Sequence, residues 1–195
     1  MSGLGPWQSV TEALGALHEA ERPKAPKLED ATDMDRRQGR MLAEIHKMHL
    51  SELAMTRRLL TQIETGGAEP GALREALDEM AMTRNFRAFG NLCGRSCQII
   101  NGHHNIEEYD TFVRVEAGGH AGINAVVTKL RAEHKVIHAL IEHLYSAAVD
   151  LVQDPTEEHY RMAVEKFEQF EAVVKSHFGY EEVELEEALG LFNAL

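Results

Sequence analysis

The stretch EHKVIHALIEHL at residues 133–144 indicates the fold, because it combines a helical apolar stripe with histidines on that stripe. Residues four apart on an α-helix share a face, so His134 and His138 lie on one side of the helix. The apolar residues on that side are Leu130, Ile137, Ile141 and Leu144. His143 falls on the opposite side and is predicted to be a surface histidine. The stretch therefore predicts an amphipathic helix that directs two histidines towards a core.

Three other long helical patterns accompany this one. In chain order, the four patterns cover about residues 30–64, 71–114, 121–153 and 155–188. Glycine- and proline-containing segments separate them, and Pro155 is predicted to lie in the first turn of the fourth helix. No sustained two-residue alternation indicates a strand. The patterns predict an all-α protein folded as an up-down four-helix bundle.

The N-terminal part is predicted to be a short helical extension of that bundle. Residues 9–21 read as a short amphipathic helix, and the prolines of the segment RPKAPKL interrupt it. We predict an N-terminal extension at 1–30 that lies across a bundle at 31–195. Trp7 has two interpretations, ordinary packing of the short helix on the bundle or an anchor for docking to a partner.

Charge and hydropathy exclude several classes of protein. The chain has 195 residues and a formal net charge of −12, which disfavours binding to nucleic acid or to an anionic membrane surface. Its apolar runs are far shorter than the ~18 residues of a membrane span. The N-terminus has no basic patch followed by an apolar run, so a cytoplasmic location is predicted. Cys93 and Cys97 are interpreted as small buried residues, with a thiol redox pair as the alternative.

The placement of the 11 histidines is the most informative feature. In NGHHNIEEYD at 101–110, His103 and Glu107 project close to the centre of an apolar stripe. Their neighbours His104 and Glu108 project to its shoulder, as outer-sphere or solvent-facing groups. The first pair therefore faces the core.

The first and fourth helices carry similar groups. His177 and Glu181 in SHFGYEEVEL share the apolar face, whereas Glu182 is rotated a further 100° or so. In AEIHKMHLSEL the projection slightly favours His49 over His46. All four helices thus bring histidine towards the core.

Burial of this many polar groups predicts a metal centre, since such groups cost several kcal/mol each unless they are paired or coordinate an ion. Five imidazoles with two carboxylates favour iron, zinc, manganese or copper over calcium or magnesium. Seven ligands are too many for one ion, so two ions are predicted. Two six-coordinate ions have roughly twelve coordination positions in total. If both carboxylates bridge the ions and an oxo or hydroxo group bridges them as well, about one of these positions stays open.

Taken in order, the elements His, His-x3-Glu, His-x3-His and His-x3-Glu resemble the hemerythrin-like, or HHE cation-binding, family over about residues 40–190. The segments IHKMHLSEL, HHNIEE, AEHKVIH and SHFGYEEVEL are similar to those of bacterial single-domain members. The ligand set that this resemblance implies is His46, His103, Glu107, His134, His138, His177 and Glu181. In this family an EL pair follows the first ligand histidine at a fixed distance. The EL pair of IHKMHLSEL lies at that distance from His46, so His46 is selected and His49 becomes an alternate or outer-sphere group.

The resemblance implies two iron ions, oxo- or hydroxo-bridged, with zinc or manganese as alternatives. It implies binding of O2, peroxide or NO at an open position and breakdown of peroxide, in a monomer or homodimer. The alternative is an iron- or oxygen-sensing module without turnover. Two departures argue against simple oxygen carriage: oxygen-carrying members place the last carboxylate five residues after its histidine, where this chain has Glu181 at four and Glu182 at five. Many members also have a Phe-Pro pair where this chain has TFVRV.

Overall fold

The computed structural model describes residues 5–65 and 80–195, with side chains described for 5–65 and 88–195. The helices are α1 (Val10–Gly15), α2 (Asp33–Gly39), α3 (Met41–Thr65), α4 (Met80–Ile106), α5 (Phe112–Ala117), α6 (Ala121–Gln153) and α7 (Glu157–Leu191). A 3-10 turn covers Glu19–Glu21, and a π-helical segment, Glu107–Thr111, joins α4 to α5. The part of the chain that the structure describes contains no strand.

The four long helices form a bundle, which confirms the predicted fold class. α3 packs on α4 and α7, and α6 packs on α4 and α7, so each helix has two neighbours. The buried apolar residues form two separate clusters: α3, α6 and α7 contribute to both, whereas the described part of α4 contributes to the upper one and α5 to the lower one. The upper core includes Leu53, Phe89, Leu140, Phe167 and Phe170. The lower core includes Leu42, Phe112, Leu130, Leu185 and Leu189.

Helix boundaries differ from the sequence prediction in the first and fourth patterns. The first long pattern is two helices, because α2 ends at Gly39 and α3 starts at Met41. Pro155 lies before α7 rather than inside its first turn, since the Thr156 hydroxyl caps the helix by accepting from the His159 backbone N–H. The start of the second pattern, 71–79, lies outside the described residues.

Close contact between α2 and α7 requires two glycines. A Cβ atom on Gly39 would lie 1.9 Å from the backbone oxygen of Glu186, and one on Gly190 would lie 2.0 Å from that of Asp35. The two helices therefore meet backbone to backbone, which holds α2 against the end of α7.

The N-terminal segment packs on the bundle. Trp7 is half-buried against the upper core, and its carbonyl accepts a hydrogen bond from Lys166 Nζ at 2.8 Å. The predicted helix at 9–21 is shorter, because His18 adopts a left-handed conformation with φ of 46°. This contact fits the packing interpretation of Trp7. The division between 1–30 and 31–195 stays a prediction, and no helix among the described residues is long and apolar enough to cross a bilayer.

Candidate metal centre

A layer of buried polar residues separates the upper core from the lower core. Two groups in it have metal-binding side-chain atoms within 4.8 Å of one another. The first group is His46, His103, Glu107 and Glu181, and the second is His104, His134 and His177. All seven residues are buried. The fold thus brings together donors from α3, α4, the π-helical segment, α6 and α7.

The first group has the spacing of ligands around one ion. Nε2 of His46 lies 3.0 Å from Nε2 of His103, which lies 2.9 Å from Glu107 Oε1. Adjacent ligands with bonds of ~2.1 Å at right angles would lie about 3 Å apart. Glu181 Oε2 lies 3.5 Å from His46 Nε2. The four side chains therefore surround a space of the size of a first-row metal ion.

The two carboxylates lie between the groups. Glu107 presents Oε1 to His103, and its Oε2 lies 3.5 Å from His134 Nε2. Glu181 Oε2 lies 3.5 Å from His46 Nε2 and 3.9 Å from His177 Nε2. Both carboxylates thus have the position of a bridge between two ions.

Several buried atoms of the centre have no hydrogen-bond partner. They are Nε2 of His104, His134 and His177, and both carboxylate oxygens of Glu107 and Glu181. His103 is close to Glu107, but the contact does not have hydrogen-bond geometry. Unsatisfied buried groups of this kind cost about 1–3 kcal/mol each, and more when they are charged. A cation at each group would satisfy them, so the residues present fit the predicted ions.

Titration behaviour also fits a cation site. Burial lowers the pKa of His46 to about 2 and that of His103 to about 4, which keeps the ring nitrogens free to bind a cation. Burial raises the pKa of Glu107 to about 8, and burial together with the Glu107 charge raises the pKa of Glu181 well above its usual range. Without a cation the centre favours uncharged groups, and a cation would favour the two carboxylates in their ionised form.

Three histidines have a carboxylate on the outward ring nitrogen. Nδ1 of His46 donates to Glu182 at 2.9 Å, Nδ1 of His134 to Glu108 at 2.7 Å, and Nδ1 of His177 to Glu133 at 3.1 Å. A proton on Nδ1 leaves the lone pair on Nε2, which faces the centre. Carboxylate–histidine pairs of this type orient the ligands of metal sites.

Six of the seven residues predicted as ligands lie in the two groups, and His138 does not. His138 is half-buried, and its Nε2 lies 3.3 Å from Nδ1 of His104. His104 is fully buried and stacks on His134, with ring centroids 3.9 Å apart. His104 is thus the third histidine of the second group, and His138 contacts its outer nitrogen. The ligand role of His138 stays a prediction.

Other candidates lie around the centre. His49 is 8% exposed beside His103 and belongs to neither group. Tyr109 and Tyr180 lie next to ligand motifs in sequence and are therefore candidate proton donors to a bound molecule. Tyr109 is 82% exposed, and the Tyr180 hydroxyl donates to the carbonyl of Pro23, so neither phenol faces the centre. Cys93 and Cys97 are buried in the upper core with their sulfurs 4.0 Å apart. The sequence does not indicate a role for Glu133, because its hydrogen bond with His177 joins residues 44 positions apart on two helices.

A cavity of about 310 Å³ borders the first group. His49, His103 and Glu107 are among the residues that line it. Its apolar lining comes from Leu42, Ile45, Ile99, Ile106 and Leu195. This cavity therefore gives a small uncharged molecule a route to the first group.

The fold and the centre together define a helical bundle with a histidine- and carboxylate-rich cation site. The family model described as the hemerythrin HHE cation binding domain matches residues 37–189, which is most of the chain and includes both groups. The chain belongs to this family, as its sequence motifs predicted. Comparisons with curated proteins and with solved structures give no match.

Proposed function

We propose that this protein binds two iron ions and uses the cavity-facing one to bind O2, peroxide or NO, with breakdown of peroxide as its activity. The observation that supports this proposal is that Glu107 and Glu181 lie between two buried histidine groups, with both carboxylates and the Nε2 atoms of the second group unsatisfied. Zinc or manganese are the alternative metals. We further propose a cytoplasmic protein that is a monomer or homodimer.

The donor count favours an open position at one ion. The first group offers two imidazoles and the second offers three. If each carboxylate bridges, each ion would gain an oxygen from both Glu107 and Glu181. With one bridging oxo or hydroxo group, the first ion would have about five ligands and the second about six. The open position therefore belongs to the first group, which is the one next to the cavity.

The iron pair would supply Lewis acidity and one-electron chemistry. The chain itself supplies a dry approach, because apolar side chains dominate the lining of the cavity. His49 Nε2 is buried without a partner beside His103, so it is placed to hydrogen-bond a small molecule that enters. Burial lowers the pKa of His49 to about 4, so this ring is neutral near pH 7.

Metal analysis with optical spectroscopy tests this proposal. We expect about two irons per chain, near-ultraviolet oxo-bridge bands that shift with azide, and repeated consumption of peroxide. Replacement of His103 or Glu107 by alanine should lower the iron content, whereas replacement of His143 or His159 should not. Iron with a stable oxygen adduct and no turnover would favour the sensing alternative. Equal iron loading in all four variants would contradict the assignment of the centre.

A further inference from the structure

An arginine of the N-terminal segment reaches the candidate metal centre. Arg22 binds Glu133 through two hydrogen bonds, Nε to Oε1 at 2.8 Å and Nη2 to Oε2 at 3.0 Å. The Glu133 side chain is 1% exposed, and its Oε2 accepts from Nδ1 of His177. A continuous path therefore runs from the N-terminal segment through one buried carboxylate to a histidine of the second group.

Arg22 lies outside the region that the family model matches, which begins at residue 37. The segment around it is held in place by independent contacts. Tyr180 donates to the carbonyl of Pro23, and the Arg22 guanidinium lies 4.7 Å from the centre of the Tyr180 ring. Lys24 pairs with Glu184 at 2.8 Å. The contacts of Tyr180 therefore fix Arg22 over Glu133, whereas the Lys24 pair is a largely exposed contact of the same segment.

The same arrangement occurs once more in the second group. Arg131 binds Glu108, and Glu108 accepts from Nδ1 of His134. The first group differs, because Glu182 pairs with His46 and with no lysine or arginine of the described residues. Two of the three imidazoles in the second group therefore have an arginine-bound carboxylate behind them, and one of those arginines comes from the N-terminal segment.

Two donors hold the buried Glu133 carboxylate in place. Arg22 reaches both of its oxygens, and Nδ1 of His177 donates to Oε2. Removal of one partner of a buried charge pair leaves the other buried and unpaired. Without Arg22 the Glu133 side chain would turn away, and His177 would lose the bond that orients its ring.

We propose that Arg22 is a positioning residue of the metal centre, which holds Glu133 so that His177 presents Nε2 to the second ion. The N-terminal segment is thereby a functional part of the centre rather than only a cover for the bundle. This inference rests on the proposed two-ion site. Loss of a contact of this kind lowers metal affinity by about 10–100-fold in other metal sites.

The test is a Co²⁺ titration of metal-free, full-length protein against a competing chelator, followed by visible absorbance. We expect R22Q to weaken one of the two Co²⁺ sites by about 10-fold or more and to change its absorbance bands. R22K should restore part of the affinity, because lysine supplies the charge without the two-point geometry. K24A is the matched control: it removes a neighbouring anchor of the same segment and should leave both Co²⁺ sites unchanged.

The outcomes separate this inference from the proposed function. A wild-type protein that binds no Co²⁺ would contradict the two-ion site itself. Two normal sites in R22Q, or equal weakening in R22Q and K24A, would overturn the role of Arg22 and leave the two-ion site standing. If R22Q does not fold, E133Q replaces it: this variant keeps the shape of the side chain and should show the same loss at one site only.

Discussion

At the scale of single residues, the pair His104 and His138 shows what a helical projection predicts and what it misses. The projection places His104 at the shoulder of its stripe and His138 on the stripe of its helix. In the structure His104 is buried with Nε2 towards the centre, and His138 lies behind it. Projection gives the direction of a Cα–Cβ bond, whereas a long imidazole reaches the centre from the side. The two adjacent histidines in HHNIEE are the sequence feature that could have indicated His104 as a second donor.

We expect H104A to lose about half of the bound metal and H138A to keep most of it. His104 is one of three nitrogens in the second group, while His138 contacts only its outer nitrogen. Elemental analysis of the purified variants measures this difference. The reverse order of metal contents would show that His138 binds the ion, as the sequence motif predicted.

A second residue-scale prediction concerns acid stability of the metal-free protein. The pKa values of His46, His103 and His134 fall from 6.5 to about 2, 4 and 3, with burial as the largest cause. Below pH 6.5 the unfolded chain therefore binds more protons than the folded chain does. The folded state has its full stability above that pH, where the rings are neutral in both states, and loses stability as the pH falls. Each such histidine contributes a loss of about 1.4 kcal/mol per pH unit.

Urea denaturation of the metal-free protein between pH 7 and pH 4 measures the net change, to which Glu107 and Glu181 contribute in the opposite sense because their pKa values are raised. H46Q should flatten the dependence, because glutamine does not titrate, and H159Q serves as the control outside the centre. An H46Q profile as steep as that of the wild-type protein would contradict the assignment of the loss to the buried histidines.

At the scale of elements, periodicity predicted the four long helices and the bundle but not the boundaries between short pieces. The break at Arg40 and the π-helical segment Glu107–Thr111 have no signal in hydrophobic spacing. The π-helical segment adds one residue to a turn, which places Glu107 and Thr111 in the interior and returns Phe112 to the lower core. Such segments are frequent at functional sites, and this one carries a candidate bridging carboxylate.

The crossing of α2 and α7 gives a prediction about packing. G190A should lower the free energy of unfolding by about 2 kcal/mol or more, because the new methyl group meets backbone atoms that cannot rotate away. G179A on the same helix is the control: a Cβ there contacts nothing within 4 Å, so it should be neutral or stabilise by up to about 1 kcal/mol. Thermal denaturation compares the two variants, and equal stability would contradict the backbone contact.

At the scale of the whole molecule, sequence reasoning found donors on each helix but not the contacts between distant segments. Arg22 and Glu133 are 111 positions apart, and no local pattern reports such a pair. The structure also separates the two adjacent glutamates at the departure from the family motif. Glu181 faces the centre, whereas Glu182 binds the outer nitrogen of His46. The fold could thus be predicted from periodicity, and the outer part of the centre could not.

Metal binding should stabilise the whole molecule. The unsatisfied nitrogens and oxygens of the centre weaken the metal-free state, and an ion that binds only the folded state adds stability by mass action. At a free metal concentration of about 100 times Kd, the expected gain is about 2.7 kcal/mol. Differential scanning calorimetry with and without Fe²⁺ under anaerobic conditions measures it. The double variant H103A/E107A should show less than half of the gain, and an undiminished gain would place the ion elsewhere.

The division of the apolar interior into an upper and a lower core has a consequence for cooperativity. The polar layer between them contains unsatisfied buried nitrogens and oxygens in the metal-free state, which weakens the coupling between the two halves of the bundle. Native-state hydrogen exchange should then resolve two protected regions that open at different free energies. Bound ions would cross-link all four helices at the layer, and the two regions should merge into a single cooperative unit.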